Sequence, residues 1–269
     1  MLIELDCNSF DRVEPLYRRQ NHCFPLILAV IQKKQKGQVF VDRRETPLSA
    51  VVITDFGFMY FMGEDENEEF NQEFIRLLEY KIGIKHGYLL WYYPSDRWQQ
   101  RLEAISASVR KRARMRFDFR KERANYLNNK PEVPDNFELK HLDYSLIPKT
   151  TKLGINITSR FWSSAEDLLE NGLSVCLVKN DEVVSICYAA CISDDLAEID
   201  IATQYEYGGM GLATFVAQQF IIECLKNGIT PTWDCFDTNV PSLKLAEKLG
   251  FVFTITYPFY TFNIPFKII

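Results

Sequence analysis

The sequence predicts a mixed α/β fold, and three observations carry that expectation. Segments of β character alternate with amphipathic helical segments along all 269 residues. One β segment, beginning near Ala197 and ending at Thr203, runs through Gln204-Tyr205-Glu206-Tyr207 into Gly208-Gly209-Met210-Gly211 and then an apolar helix reaching Lys226. The order of elements in the first half also recurs in the second at an offset of about 140 residues.

Composition narrows the class. Hydrophobic content of 47% and charged content of 25% suit a globular chain with a substantial core. The longest apolar run, residues 24–31, is interrupted by Pro25 and is too short to span a bilayer. The first residues, Met-Leu-Ile-Glu-Leu-Asp, lack the basic-then-apolar order of an export signal. Seven cysteines occur without a CxxC pair or a zinc-like cluster, which reads as reduced thiols in a cytoplasm, with no metal site. A net charge of −5 argues against bulk nucleic-acid affinity, and no membrane partner is expected.

Taken in order, residues 14–36 read as a helix interrupted near Pro25, and residues 37–43 and 48–54 as strands joined by Glu45-Thr46-Pro47. Residues 56–62 form a third strand ending at Gly63. Residues 66–82 place Phe70, Phe74, Leu77 and Leu78 at helical spacing among acids and amides. A strand at 88–93 precedes Pro94-Ser95-Asp96, a helix-start signal for 97–106. Residues 109–120 alternate with period two, Arg110, Arg112, Arg114, Arg116, Asp118 and Arg120 sharing one face; a half-buried strand fits better than the alternative helix.

The polar stretch 128–136, with Pro131 and Pro134, reads as a linker between domains 1–130 and 131–269. Beyond it come a short strand at 137–142, mostly helical residues 146–171 broken around Gly154, and strands at 173–179 and 183–193 turning at Asn180-Asp181. After the glycine turn and its helix, Asn227-Gly228 caps, 231–236 is a strand, 242–249 a helix closed by Gly250, and 251–262 a terminal β segment broken at Pro258.

A strand emptying through glycines into a helix is a ready anion site. The first helical N–H groups have no intrahelical acceptor, the helix dipole favours negative charge, and glycine admits both φ > 0 and close approach of a phosphate. Three glycines in four residues are more often an ordinary turn, so the surroundings decide.

Those surroundings resemble the GNAT superfamily of CoA-dependent N-acyltransferases. That family carries a strand, a Gln/Arg-x-x-Gly-x-Gly/Ala turn and a helix, then an Asn on a loop before a helix ending Leu-Gly-Phe. Here the turn is Glu206-Tyr207-Gly208-Gly209-Met210-Gly211, and the later element runs from Asn239 through Ser242 to Leu249-Gly250-Phe251. The wording from Glu198 to Thr203, through Trp233-Asp234-Cys235, to Asn239 and Ser242 resembles the branch around the zwittermicin A self-resistance acetyltransferase. The resemblance implies a mixed, mostly antiparallel sheet flanked by helices, with a GNAT-like, degenerate N-terminal half that lacks the phosphate turn. It also implies acetyl-CoA as cofactor, and transfer of an acetyl group to a primary amine of a small molecule in a ternary complex.

Residue by residue, the resemblance implies CoA contacts from Gly208, Gly209, Met210, Gly211, Leu212 and Ala213 at the turn, and from Asn239 and Ser242 on the later loop. Ile201, Ala202 and Thr203 would bind pantetheine and polarise the acyl carbonyl through a backbone N–H. Glu198 is the first choice of base, with Asp200 and Asp234 beside it. Departures stand out: Glu206, Gly208 and Met210 occupy positions that carry Gln/Arg, Arg and Lys in the family, and Ala246 replaces the usual tyrosine acid. The acid for the departing thiolate is then Tyr257, Tyr260 or water.

Each of these carboxylates, and Asn239, also has a plain structural reading. Cys235 reads as a buried thiol, and His22, His86 and His141 fall in no motif. The span 97–123 holds ten Arg/Lys against three acids; it reads as a solvated face pairing with acids, or else as a surface for RNA in an aminoacyl-tRNA-dependent transferase. A catalytically silent CoA-binding protein is the third reading.

Overall fold

The computed structural model describes residues 1–20, 24–84, 89–91, 95–105 and 109–262, so His22, His86 and parts of the 88–93 strand and the Pro94 helix start lie outside the described residues. The chain forms two compact units. The first comprises residues 1–114 together with 256–269, and the second residues 115–255.

The first unit contains β1 (Ile3–Glu4), α1 (Glu14–Arg18), α2 (Pro25–Ile31), β2 (Gly37–Val41), β3 (Ser49–Thr54), β4 (Phe58–Gly63), α3 (Glu68–Ile84), β5 (Leu89–Trp91), α4 (Asp96–Ile105) and the start of β6 (Val109–Phe119). Pro25 opens α2 rather than kinking a longer helix, because its fixed φ and missing N–H suit the first turn. Strands β1 to β4 pair antiparallel in succession, and β5 returns parallel to β4 after α3. Strand β4 is buried from Phe58 to Met62, and Phe61, Phe70, Phe74 and Trp98 join one apolar cluster beneath the helices.

The second unit repeats this order. It contains β7 (Glu138–Lys140), α5 (Ile157–Arg160), α6 (Ala165–Asn171), β8 (Ser174–Lys179), β9 (Glu182–Ser193), β10 (Leu196–Thr203), α7 (Leu212–Lys226), β11 (Thr230–Phe236), α8 (Val240–Lys248) and the start of β12 (Phe251–Phe262). Strands β7 to β10 are antiparallel, and β11 returns parallel to β10 after α7. Helix α7 buries Phe215, Val216, Phe220 and Ile221 against this sheet.

The compact units divide at 114/115 and 255/256. Both β6 and β12 contain a boundary, so the last strand of each repeat ends in the other unit, and the polar stretch near Pro131 is a loop inside the second unit. Composition marks an exposed loop, but strand pairing over long sequence separations defines a unit, and composition does not report it.

Candidate active site

The parallel register of β10 and β11 is short. Leu196, Ala197 and Glu198 pair with Thr230, Pro231 and Thr232; past that point β10 continues to Thr203 with β9 as its partner. A register shift between Glu198 and Ile199 marks a β-bulge at the place where the two strands part, a device that re-aims side chains.

Ladder alternation then assigns the backbone groups. Gln204 N–H donates to the Val184 carbonyl at 2.9 Å, so in an antiparallel ladder Ala202 also faces β9, while Ile201 and Thr203 turn their N–H groups away from it. The Ser185 hydroxyl reaches the Ala202 carbonyl, which agrees with that direction. Of the three residues expected to contact pantetheine, alternate ones point to the opened edge. The Ile201 N–H accepts company from its own neighbour, donating to Asp200 Oδ1 at 3.1 Å.

A row of polar side chains lies along one face of the sheet. Tyr188 on β9 and its pair partner Asp200 on β10 share that face. The Tyr188 hydroxyl donates to Asp200 Oδ2 at 2.6 Å. Burial, and then the adjacent Asp200 charge, push the Tyr188 phenol well above its usual range, so it remains a proton donor in this contact. Continuing across the row, the Thr232 hydroxyl donates to Glu198 Oε2 at 2.7 Å, and Arg116 Nη1 lies 3.4 Å from Glu198 Oε2 and 3.7 Å from Asp234 Oδ2.

The carboxylates therefore differ in setting. Glu198 and Asp234 are nearly fully buried around one guanidinium, whereas the Asp200 side chain keeps 28% of its surface exposed. A substrate proton would compete with Arg116 and Thr232 for Glu198 Oε2, but would meet Asp200 at the edge of the strand opening. Arg116 is the residue the sequence reading missed. It stands in the period-two basic row, yet it is buried, and its partner Glu198 lies 82 residues further along the chain. No local pattern distinguishes it from Arg110 or Arg112.

The glycine turn closes as an anion cradle should. Gly208 has ordinary backbone angles and spends its N–H on the Tyr205 carbonyl at 3.0 Å, closing the turn rather than offering a donor. Gly209 and Gly211 have φ of 78° and 79°, and a Cβ at either would meet nothing within 4 Å, so both stand beside open space. Phe215 N–H is the first to reach back, to the Gly211 carbonyl, so the amides of Leu212, Ala213 and Thr214 precede the first helical bond. Helix α7 has no side-chain cap and no acid in its first turn. The chain's residues fit a phosphate-bearing group here, with Met210 exposed beside them.

The remaining expected residues take structural places. Asn239 caps α8, its Oδ1 accepting from Ser242 N–H at 3.3 Å, and Ser242 Oγ accepts from Trp233 Nε1 at 3.1 Å. Tyr257 and Tyr260 belong to the first unit; Tyr257 is buried with its ring 5.3 Å from that of Phe24, so the three carboxylates and Tyr257 are not gathered within one unit. Cys235 is buried on β11, and burial pushes the Cys176 thiol up to about 12 and the Cys187 and Cys224 thiols higher still. His141 Nδ1 lies 2.7 Å from the Ser174 carbonyl. The basic span finds acids: Arg97 pairs with Glu66, Arg101 with Glu68, Lys111 with Glu103 and Arg120 with Asp118.

A strand that parts from its parallel neighbour at a bulge, above an uncapped glycine-led helix, defines an acyltransferase of the GNAT type. The chain belongs to the GNAT acetyltransferase family, whose sequence model it matches over residues 18–260. It is an N-acetyltransferase of that type. It is 26% identical over 261 residues to the uncharacterized N-acetyltransferase YdfB of Bacillus subtilis, covering 97% of this chain and 98% of that protein. Its fold is similar to a GCN5-related N-acetyltransferase-like protein from Streptococcus suis, with a TM-score of 0.75, 23% identity, and 95% and 98% of the two chains covered. A tandem GNAT protein from the clavulanic acid biosynthesis pathway is also similar, with a TM-score of 0.70, 11% identity, and 98% and 99% covered. No helix among the described residues is long and apolar enough to cross a membrane.

Proposed function

We propose that the protein transfers an acetyl group from acetyl-CoA to a primary amine of a small molecule, by direct attack within a ternary complex. The observation that carries this reading is the pairing of two features in one unit: helix-N-terminal amides at Leu212 to Thr214 that precede the first helical bond, beside open space at Gly209 and Gly211, and a half-open carboxylate, Asp200, where β10 leaves β11. Acetyl-CoA supplies the acyl group as an activated thioester. The amides from Gly209 to Ala213 hold the pyrophosphate, compensating in number for the cations that stand at Gly208 and Met210 in relatives. Thr203 offers its edge-facing N–H to the pantetheine arm and the acyl oxygen, while the Ile201 N–H is already donated to Asp200 Oδ1.

Asp200 takes the proton from the attacking nitrogen, and Tyr188 holds that carboxylate in place through its hydroxyl. Glu198, Asp234 and Arg116 position the strands behind it. In the net reaction a nitrogen–carbon bond forms, the carbon–sulfur bond breaks, and one proton passes from the amine, by way of Asp200 and water, to the departing sulfur. The wording shared with the zwittermicin A resistance branch supports an amine-bearing metabolite as acceptor, modified for self-protection or tailoring. Calorimetric titration with acetyl-CoA tests the reading: saturable heat at micromolar ligand is expected, and none at millimolar ligand overturns it.

A further inference from the structure

Beside Asp200 stands a cation that the chemistry above does not use. Arg160 ends α5, and the residues that follow cover the same sheet face: the Phe161 ring lies 6.5 Å from that of Tyr188, and Trp162 Nε1 donates to the Ala189 carbonyl at 2.9 Å. The Arg160 guanidinium lies over the Phe161 ring, 4.8 Å from its centroid, so its plane is braced by an aromatic face. Its side chain is 44% exposed, and its nearest acid oxygen is Asp200 Oδ2 at 3.9 Å, beyond hydrogen-bond reach. Asp200 does not depend on it, because Tyr188 and the Ile201 N–H already satisfy that carboxylate.

We propose that the acceptor is an amine that also carries a carboxylate, its carboxylate taken by Arg160 and its nitrogen by Asp200. This rests on the acetyltransferase reading above. Two opposite charges side by side and half-open, in an ion pair 3.9 Å long that no hydrogen bond closes, are the complement of a zwitterion. A planar fork of N–H donors suits a carboxylate bidentately, in a way a bare ammonium would not.

The test uses the whole chain and three matched pairs, each differing by one carboxylate: phenylalanine with phenethylamine, lysine with cadaverine, and 4-aminobutyrate with propylamine. Each is titrated calorimetrically and then assayed for acetyl transfer. The carboxylated member of at least one pair is expected to bind on the order of 10- to 100-fold more tightly, the range of one charged bidentate contact. Arg160→Gln should remove that preference without moving the acetyl-CoA titration, and Arg160→Lys should restore part of it. Equal binding within every pair, heat from no member of any pair, or an Arg160→Gln loss that falls equally on both members overturns the proposal. Should acetyl-CoA fail to bind while the preference stands, the acetyltransferase reading falls and the carboxylate site remains.

Discussion

The starts of α3 and α7 occupy equivalent places in the two units, each following the fourth strand of its repeat and preceding a strand that returns parallel. They are built for opposite ends. Helix α3 is closed: Asn67 Oδ1 accepts from Phe70 N–H at 3.2 Å, Glu68 and Glu69 fill its first turn, and Arg97 and Arg101 are bound to Glu66 and Glu68. Its dipole is already answered by protein carboxylates, which would repel a phosphate. Helix α7 is open, with glycines at φ near 78° and no acid or side-chain cap. The strands before them differ in the same sense. Strand β4 is filled with Phe58, Tyr60, Phe61 and Met62, whereas β10 carries Glu198 and Asp200. One repeat has its helix end capped and paired within the protein, and the other leaves it uncapped.

Four measurements would break or sharpen this contrast. The largest expected effect is in the polar row. Arg116→Met removes the guanidinium that Glu198 and Asp234 share in burial, and should destabilise the protein by about 3–5 kcal/mol in urea unfolding. The double variant Arg116→Met with Glu198→Gln should recover part of that loss. Next, Gly211→Asp sets a carboxylate at the open end of α7, as α3 has by nature, and should weaken acetyl-CoA binding on the order of 100-fold by calorimetry. If binding survives, the phosphates do not sit at this helix end.

Asn67→Ala removes the cap of α3 and should cost about 1 kcal/mol of stability while leaving acetyl-CoA affinity unchanged, which isolates structural from ligand use of a helix end. The smallest effect is expected at Asp143, whose carboxylate is held below its usual range first by the Ser145 hydroxyl and then by the Leu146 N–H. A depressed native pKa contributes stability above the unfolded value near 4 and loses it as pH falls through the native value. Asp143→Asn should therefore show a shallower loss of stability than the parent below about pH 4, a capped-turn signature that α7 lacks.

Much of this was legible in residues close together along the chain. The glycine turn, its helix, the repeated order of elements, and the Asn239 to Phe251 element all announce themselves locally, because φ > 0, helical periodicity and caps are properties of a few neighbouring residues. The parting of β10 from β11 after Glu198 was not read from the sequence, since a strand's sequence does not say where its neighbour leaves it. Nor did the chain reveal that Tyr188 and Arg160 stand beside Asp200.

The sequence by itself determined the class of fold, the existence of an anion-ready helix end in the second repeat, and its loss in the first. Tertiary structure decided that Arg116 is buried rather than part of a solvated basic face, that Glu198 and Asp234 share it while Asp200 stays open, and that β6 and β12 each end in the other unit. The reason is the same in each case. Burial, ion pairing and strand exchange are contacts between residues tens to hundreds of positions apart, and local pattern carries no term for a partner it does not contain.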